Sequence, residues 1–288
     1  NGIWEDLFVN LELQLNQYVS REYLLGMRTL PIPRDRFPEF EAISPLIENS
    51  TDWQLISVAG FLSEELFFDL NAQRKFPVTD IIRKSPRFAK KYAHVDIQND
   101  VGYTPEPDIF HDIQGHIPFL MNKAYADYMH GVGLLGDEIL RDERGLGPEL
   151  VAHNLKRLQN FAWWTYEFGL IKNTGKSDQF RRIKNDIDYE IYGAGIISSF
   201  DETSNVVQCA KSQLNHSKFL PFDIEEVKDK KKKFTNYYNF FKDPGGIVQR
   251  TGVDPAYEQK MRDTGEKFIK YASYFLSLFR RKQDETPT

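Results

Sequence analysis

The chain has 288 residues, of which 41% are hydrophobic, 27% charged and 14% aromatic, which excludes a disordered polymer and predicts a soluble globular protein. A net charge of -5 gives no reason to expect nucleic acid or an anionic membrane as partner, so we expect a small-molecule partner. The single cysteine, Cys209, excludes an internal disulfide, and no apolar run reaches the length of a membrane span. We therefore expect a cytoplasmic protein.

The first third of the chain predicts a helix, a linker and a strand-turn-helix unit. Apolar residues recur at helical spacing from Trp4 to Leu25, and the three prolines of RTLPIPRDRFP then end the helix. In WQLISVAGFLSEELFF, an apolar run predicts a short strand, Gly60 predicts a turn and Ser63 predicts the N-cap of a second helix. The polar stretch KSPRFAKKYAHVDIQNDVGY predicts a surface loop or a short helix.

The later chain is predicted to be mostly helical. An aromatic-rich pattern from Leu150 to Leu170 predicts a long helix closed by Gly169, and IYGAGIISSF predicts a turn or a strand edge. EKFIKYASYFLSLF predicts an amphipathic helix, and we interpret the run KDKKKK as a solvated helix face rather than a phosphate-binding patch. The predicted fold class is mainly α with a few short strands and no βαβ alternation. The sequence shows no terminal coiled-coil heptad pattern, so we expect a monomer.

The stretch TPEPDIFHDIQGHIPFL carries two histidines five residues apart. Asp108 is the predicted N-cap of a short helix that carries the first histidine. On an ideal α-helix His111 and His116 would lie about 140° apart around the axis. We expect Gly115 to leave the helical conformation, so that His116 turns back toward His111. Two imidazoles that meet in this way suit a divalent transition metal.

A metal site needs a third ligand, and Glu167 in FAWWTYEFGL is the best candidate. A carboxylate within so aromatic a helix is expected to be partly buried, and it then needs a partner or a metal. Two histidines and one carboxylate form the ligand set of non-haem Fe(II) oxygenases. Two structural alternatives stay open, because the histidines could be core or capping residues and Glu167 could pair with Arg157 or Lys172. A zinc hydrolase that uses His111 and His116 is a further alternative.

Several motifs resemble the pterin-dependent aromatic amino acid hydroxylases. The matching stretches are TPEPDIFHDIQGHIPFL, WWTYEFGLIK, IYGAGIISS, TDWQLISVAGFLSEELFF and RKFPVTDIIR. The similarity runs from about Tyr23 to Glu202, and the bacterial phenylalanine 4-hydroxylases are the most similar branch in size. The resemblance implies one catalytic domain with that family's fold over residues 1–288, without a regulatory or tetramerisation domain, and with a divergent helical C-terminal part.

The resemblance also implies an activity and a set of site residues. The expected activity is an iron- and tetrahydropterin-dependent monooxygenase that hydroxylates an aromatic amino acid with O2, most simply L-phenylalanine to L-tyrosine. The catalytic residues that would hold the Fe(II) are His111, His116 and Glu167. The residues that would contact the tetrahydrobiopterin, or a related tetrahydropterin, are Gly60, Phe61, Leu62, Phe67 and Asp112. The residues that would bind the amino acid are Arg83, at its carboxylate, and Thr104, Pro105, Trp163, Phe168, Gly195 and Ser198.

Some features depart from the family pattern around the expected substrate pocket. The chain holds extra segments near 84–100 and 173–190, and Ala162 stands where relatives usually carry an aromatic residue. An ungapped alignment would put Asp96 in the position of Arg83, and an aspartate there would repel an amino-acid carboxylate. Hydroxylation of another aromatic substrate or ring position is therefore the alternative. A metal-dependent hydrolase and a non-catalytic binding relative are more distant ones.

Overall fold

The structure is a computed structural model that describes residues 2–60, 62–82, 108–173, 175 and 177–211. Three predicted segments lie outside these residues: the polar stretch that follows Arg83, the lysine run and the C-terminal amphipathic helix. Within the described part, no helix is both long and apolar enough to cross a lipid bilayer.

The described chain is mainly helical with four short strands, as the sequence predicts. The helices are α1 (Gly2–Tyr18), α2 (Arg21–Thr29), α3 (Phe40–Thr51), α4 (Glu64–Ala72), α5 (Ile117–Leu120), α6 (Lys123–Arg141), α7 (Pro148–Ala162), α8 (Ala194–Ile197) and α9 (Phe200–Lys211). Two π-helical segments, π1 (His111–His116) and π2 (Trp163–Glu167), lie directly before α5 and directly after α7, and a 3₁₀ turn spans Asp178–Phe180. The strands are β1 (Gln54–Val58), β2 (Lys75–Thr79), β3 (Leu170–Lys172) and β4 (Tyr189–Ile191).

The single helix predicted from Trp4 to Leu25 is wrong, because the chain forms α1 and α2 with a break between them. At the break Val19 forms an isolated parallel bridge with Ile191, and Ser20 donates its backbone N–H to the Ile191 carbonyl at 2.8 Å. The apolar periodicity continues across the break because both helices face the same core. The pairing partner is distant in the chain, so local periodicity could not reveal it.

The prediction of no βαβ alternation is also wrong, because β1 and β2 pair in parallel with α4 as the crossover. The predicted strand-turn-helix unit itself is confirmed, since the Ser63 hydroxyl accepts the Leu66 N–H at 3.3 Å as an N-cap. β2 escaped prediction because it contains Pro77, which is tolerated only in edge strands. In this two-stranded sheet both strands are edges.

Close helix packing supports the region that carries the histidines. α4 lies against α6, where a Cβ on Gly133 would come within 2.4 Å of the Ala72 backbone nitrogen. α2 crosses α5 so closely that a Cβ on Gly26 would meet the Pro118 carbonyl. Larger residues at these two positions would force the backbones apart. The packing therefore fixes the position of α5, which directly continues π1.

The second sheet pairs β3 with β4 in antiparallel register, from Leu170 opposite Ile191 to Lys172 opposite Tyr189. Within the extra segment 173–190 the fully buried Arg181 side chain pairs with Glu190 at 2.8 Å and donates to the Gln17 carbonyl at 2.9 Å. The extra segment is therefore anchored to α1. IYGAGIISSF, predicted as a turn or a strand edge, is the end of β4 followed by a turn and the short helix α8.

Candidate active site

The two histidines of π1 lie on one face of the segment because the backbone winds as a π-helix. Its backbone hydrogen bonds run between residues five apart, and the wider turn brings such residues closer to one face than an α-helix does. The expectation that Gly115 breaks the helix is wrong. Gly115 stays within π1, where a Cβ would come within 2.9 Å of the Ala194 carbonyl oxygen in α8. The N-cap prediction is confirmed, because Asp108 Oδ1 accepts the backbone N–H of His111 at 2.7 Å.

Glu167 ends π2, the π-helical continuation of α7. Thr165 holds this segment from two sides, since its hydroxyl donates to the Phe161 carbonyl and accepts the Tyr128 hydroxyl, both at 2.9 Å. The turn before α8 packs closely against the backbone of Glu167. A Cβ on Gly193 in this turn would come within 2.4 Å of the Glu167 carbonyl oxygen. These contacts fix the backbone that carries the carboxylate.

His111, His116 and Glu167 converge at one point, and they form the one group of three metal-ligating side chains found among the described residues. The two Nε2 atoms are 3.2 Å apart, His116 Nε2 lies 2.9 Å from Glu167 Oε1, and His111 Nε2 lies 3.4 Å from Glu167 Oε2. A divalent transition metal bonds such atoms at about 2.1 Å, which sets neighbouring ligand atoms about 3 Å apart. The donor set therefore fits such an ion.

A hydroxyl group lies at the far nitrogen of each histidine ring. His111 Nδ1 lies 2.8 Å from Ser198 Oγ, and His116 Nδ1 lies 3.4 Å from the Tyr125 hydroxyl. With Nδ1 protonated and donating to the hydroxyl, Nε2 keeps its lone pair for a metal. Both rings are thus held with Nε2 toward Glu167.

The site is closed on one side and accessible on the other. The His116 side chain is 4% exposed and packs against the rings of Phe76 and Tyr166, whose centroids lie 5.2 and 5.9 Å away. His111 and Glu167 are 14% and 16% exposed, so access is from their side. Burial raises the pKa of Glu167, whereas the facing His116 and His111 together lower it by more. The net pKa of this carboxyl group lies below its usual value. Glu167 is therefore an ionised carboxylate.

Of the residues expected to contact a pterin, Gly60 and Asp112 lie at the ends of β1 and β2. Gly60 occupies a left-handed turn with φ of 70°, and Leu62 and Phe67 follow it before and within α4. Asp112 lies next to His111 and is 6% exposed, and its Oδ2 accepts the Thr79 N–H at 2.8 Å. Asp112 therefore joins π1 to β2. Of the expected pterin residues, Phe61 lies outside the described part.

Phe168, Gly195 and Ser198, three residues of the expected amino-acid pocket, lie together beside the triad. The triad is the group of His111, His116 and Glu167. A Cβ on Gly195 would come within 3.0 Å of the Phe168 ring, and Ser198 is bonded to His111. Trp163 is the first residue of π2, but the structure does not describe its side chain. Arg83, Thr104 and Pro105 also lie outside the described residues.

Sequence reasoning missed two residues that support the site. Tyr125 lies nine positions beyond His116 on a different helix, and nothing in its local pattern marks it. Thr79 could have been noticed, since it lies within the matching stretch RKFPVTDIIR, but the stretch does not reveal its bond to Asp112.

Comparison with known proteins identifies relatives. The model of a family described as biopterin-dependent aromatic amino acid hydroxylase matches residues 1–244, a longer range than the motifs span. The phenylalanine-4-hydroxylase of Ralstonia nicotianae is 32% identical over 227 residues, covering 79% of this chain and 60% of that protein.

Solved structures agree with this match. The iron- and phenylalanine-bound phenylalanine hydroxylase of Chromobacterium violaceum is similar with a TM-score of 0.55 at 29% identity, covering 74% of this chain and 63% of that one. A structure of the same enzyme with iron(III) and 7,8-dihydrobiopterin gives a TM-score of 0.55 at 29% identity, covering 72% and 62%. The chain spans less than two thirds of each of these relatives. With a family match over most of its length and a fitting site, the chain belongs to the biopterin-dependent aromatic amino acid hydroxylases.

Proposed function

We propose that this chain is an iron- and tetrahydropterin-dependent monooxygenase that converts L-phenylalanine to L-tyrosine with O2. The observation that carries the proposal is the convergence of His111 Nε2, His116 Nε2 and the Glu167 carboxylate, each within 3.4 Å of the other two side chains. Two imidazoles and one carboxylate, with further coordination positions open, are the ligand set of non-haem iron oxygenases.

His111, His116 and Glu167 would hold the Fe(II). Bound iron together with a tetrahydropterin supplies the activation of O2 for attack on an aromatic ring. The chain provides two imidazoles, oriented by Ser198 and Tyr125, and a carboxylate whose pKa lies below its usual value. The solved structures of a relative with bound iron and phenylalanine, or with iron(III) and 7,8-dihydrobiopterin, support binding of iron, an amino acid and a pterin here.

The protein also keeps water from the closed side of the site. Phe76 and Tyr166 cover His116, and Tyr166 is itself 2% exposed. A dry wall strengthens the electrostatic contacts within the site and limits side reactions of the oxidant. Access is left beside His111 and Glu167, where cofactor and substrate would approach.

The tetrahydropterin would bind at the ends of the parallel strands β1 and β2. Ligands commonly bind at the carboxyl ends of parallel strands. Here those ends carry the Gly60 turn and, through Thr79, the link to Asp112. The residues proposed to contact the pterin are Gly60, Phe61, Leu62, Phe67 and Asp112.

The amino-acid substrate would lie between Phe168, Gly195 and Ser198, with Thr104, Pro105 and Trp163 as further walls. Arg83 would bind its carboxylate, since a guanidinium can donate two parallel hydrogen bonds. Arg83→Ala should raise the KM for phenylalanine at least about tenfold and leave the KM for the tetrahydropterin unchanged. Unchanged KM values for both substrates would mean that another residue binds the carboxylate.

The activity test begins with anaerobic loading of the purified protein with Fe(II). Tetrahydrobiopterin and air are then added with phenylalanine, tyrosine or tryptophan in separate reactions, and products are identified by mass spectrometry and NMR. We expect pterin-dependent gain of one oxygen atom on phenylalanine at the para position. Consumption of pterin without a hydroxylated amino acid would contradict the proposed substrate, and an inert mixture would contradict the proposed activity.

We also propose a cytoplasmic, monomeric protein with one catalytic domain. One hydrophobic cluster runs through the described residues from Trp4 to Val206, which supports a single domain. The absence of a heptad pattern in the sequence supports the monomer. Light scattering on the protein as it elutes from a size-exclusion column tests the monomeric state, and the mass of a dimer would contradict it.

A further inference from the structure

We propose that Thr79 and Asp80 are positioning residues for the pterin, because their side chains hold both backbone polar groups of Gly60. The inference rests on the proposed function, which assigns the Gly60 turn to the cofactor. Neither residue belongs to the set expected from the sequence.

The two side chains clamp the turn from one end of β2. Asp80 Oδ1 accepts the Gly60 N–H at 2.9 Å, and the Thr79 hydroxyl donates to the Gly60 carbonyl, also at 2.9 Å. The Thr79 oxygen in turn accepts the Ile81 N–H at 3.3 Å. Both functions of this hydroxyl, as donor and as acceptor, are thus used.

The Cβ side of Gly60 is open in the part of the chain that the structure describes. Gly60 has φ of 70°, in the left-handed region, and within the described structure no atom lies within 4 Å of where its Cβ would stand. A glycine in such a turn has wide conformational freedom. The hydrogen bonds with Thr79 and Asp80 restrain this freedom at both backbone polar groups of Gly60.

The same threonine connects the turn to the metal-binding segment. Its backbone N–H donates to Asp112 Oδ2 at 2.8 Å, and Asp112 is adjacent to His111 in π1. Thr79 and Asp112 are 4% and 6% exposed, so water does not compete for this bond. One buried residue thus fixes the Gly60 turn relative to the histidines.

The β1–β2 sheet does not need these side-chain bonds. Its ladder is already extended by the backbone, where the Asp80 N–H donates to the Val58 carbonyl at 3.2 Å. The Thr79 and Asp80 side chains reach beyond that last bond to the turn. A cofactor that must face the iron gains affinity when its contacting loop is already ordered. This consequence for the cofactor separates positioning from a purely structural role.

The chain offers closely matched variants for a test. Thr79→Val removes the hydroxyl but keeps the side-chain shape and the backbone bond to Asp112, and Thr79→Ser restores the hydroxyl. Asp80→Ala removes the acceptor, whereas Asp80→Asn keeps an oxygen in the same place. Thr51→Val is the control, because Thr51 is 2% exposed and its hydroxyl donates to the Leu120 carbonyl at 2.8 Å.

Two readouts separate the effects. Anaerobic calorimetry on the Fe(II)-loaded protein measures the affinities for 7,8-dihydrobiopterin and phenylalanine, and hydrogen exchange on the ligand-free protein measures protection of the Gly60 peptide. We expect Thr79→Val and Asp80→Ala to weaken dihydrobiopterin binding about tenfold and to speed this exchange. Fe(II) and phenylalanine affinities should stay unchanged, and the serine, asparagine and Thr51 variants should resemble the wild type.

Each other outcome overturns the inference. Wild-type dihydrobiopterin affinity in Thr79→Val and Asp80→Ala would do so, even if exchange were faster. An equal loss in Thr51→Val would show a general loss of stability instead. A wild-type protein that binds Fe(II) but no dihydrobiopterin would overturn the proposed function, and the inference with it.

Discussion

Single residues around His111, His116 and Glu167 show how an imidazole would be oriented for a metal. Ser198 is 1% exposed and holds His111 Nδ1 at 2.8 Å, so the ring can neither rotate freely nor turn its other nitrogen away from Glu167. Such partners of metal ligands contribute to affinity although they do not touch the ion.

Replacement of Ser198 by alanine should therefore lower Fe(II) affinity by about tenfold or more, because the His111 ring loses its orienting partner. Chelator competition under anaerobic conditions measures the change. Ser199→Ala is the matched control, since among the described residues the Ser199 hydroxyl accepts the Glu202 N–H at 3.3 Å and does not contact a histidine. Equal affinities for the two variants would contradict this role of Ser198.

At this scale the sequence allowed a prediction of chemistry but not of all contacts. His111, His116 and Glu167 could be proposed from residue type and spacing alone. Ser198 was expected only through the resemblance, as a residue that would bind the amino acid. Its bond to His111, like that of Tyr125 to His116, depends on packing between distant elements, which no local pattern encodes.

At the scale of elements, the contact between α4 and α6 depends on glycine. Gly133→Ala should destabilise the protein by about 1–3 kcal/mol, because the new Cβ would come within 2.4 Å of the Ala72 backbone nitrogen. Gly131→Ala on the same helix is the control. No atom lies within 4 Å of its Cβ position in the described structure, so stability should be equal or higher by up to about 1 kcal/mol. Denaturant unfolding measures both, and equal destabilisation would contradict the packing account.

The elements that carry the ligands were predicted in position but not in geometry. The sequence indicated a helix around His111 and a helix up to Glu167, and both are present. Their π-helical winding was not predicted, because it depends on contacts such as that of Gly115 with Ala194 in α8. The βαβ unit was missed for a similar reason, since β2 contains Pro77 and its pairing partner lies across a helix.

For the molecule as a whole, a partly buried carboxyl group makes stability depend on pH. Burial raises the pKa of Glu22 to about 7, and the nearby Glu190 acts in the same direction. The unfolded chain has the ordinary value of 4.5. A raised carboxyl pKa means that the folded state loses stability as pH rises from about 4.5 through 7, because the unfolded state ionises more easily.

Glu22→Gln should therefore raise the free energy of unfolding at pH 8, by an amount on the order of 1–3 kcal/mol, and change it little at pH 4.5. Denaturant unfolding at the two pH values measures the difference between variant and wild type. The same difference at both pH values would contradict the assigned cause.

The overall fold class and family followed from the sequence, but the anchoring of the extra segment 173–190 did not. Arg181 and Glu190 form a buried pair that also contacts α1 through Gln17. Nothing in the polar composition of that segment marks Arg181 as fully buried. A buried ion pair is specified by its surroundings rather than by its own neighbours in the chain.

The central claim is that His111, His116 and Glu167 hold one metal ion, and equilibrium Fe(II) binding to the wild type and to single alanine variants at these positions tests it most directly. Circular dichroism verifies that each variant is folded. We predict one Fe(II) per wild-type chain and loss of stoichiometric binding in each variant. A folded variant that still binds one Fe(II) with wild-type affinity would contradict the account.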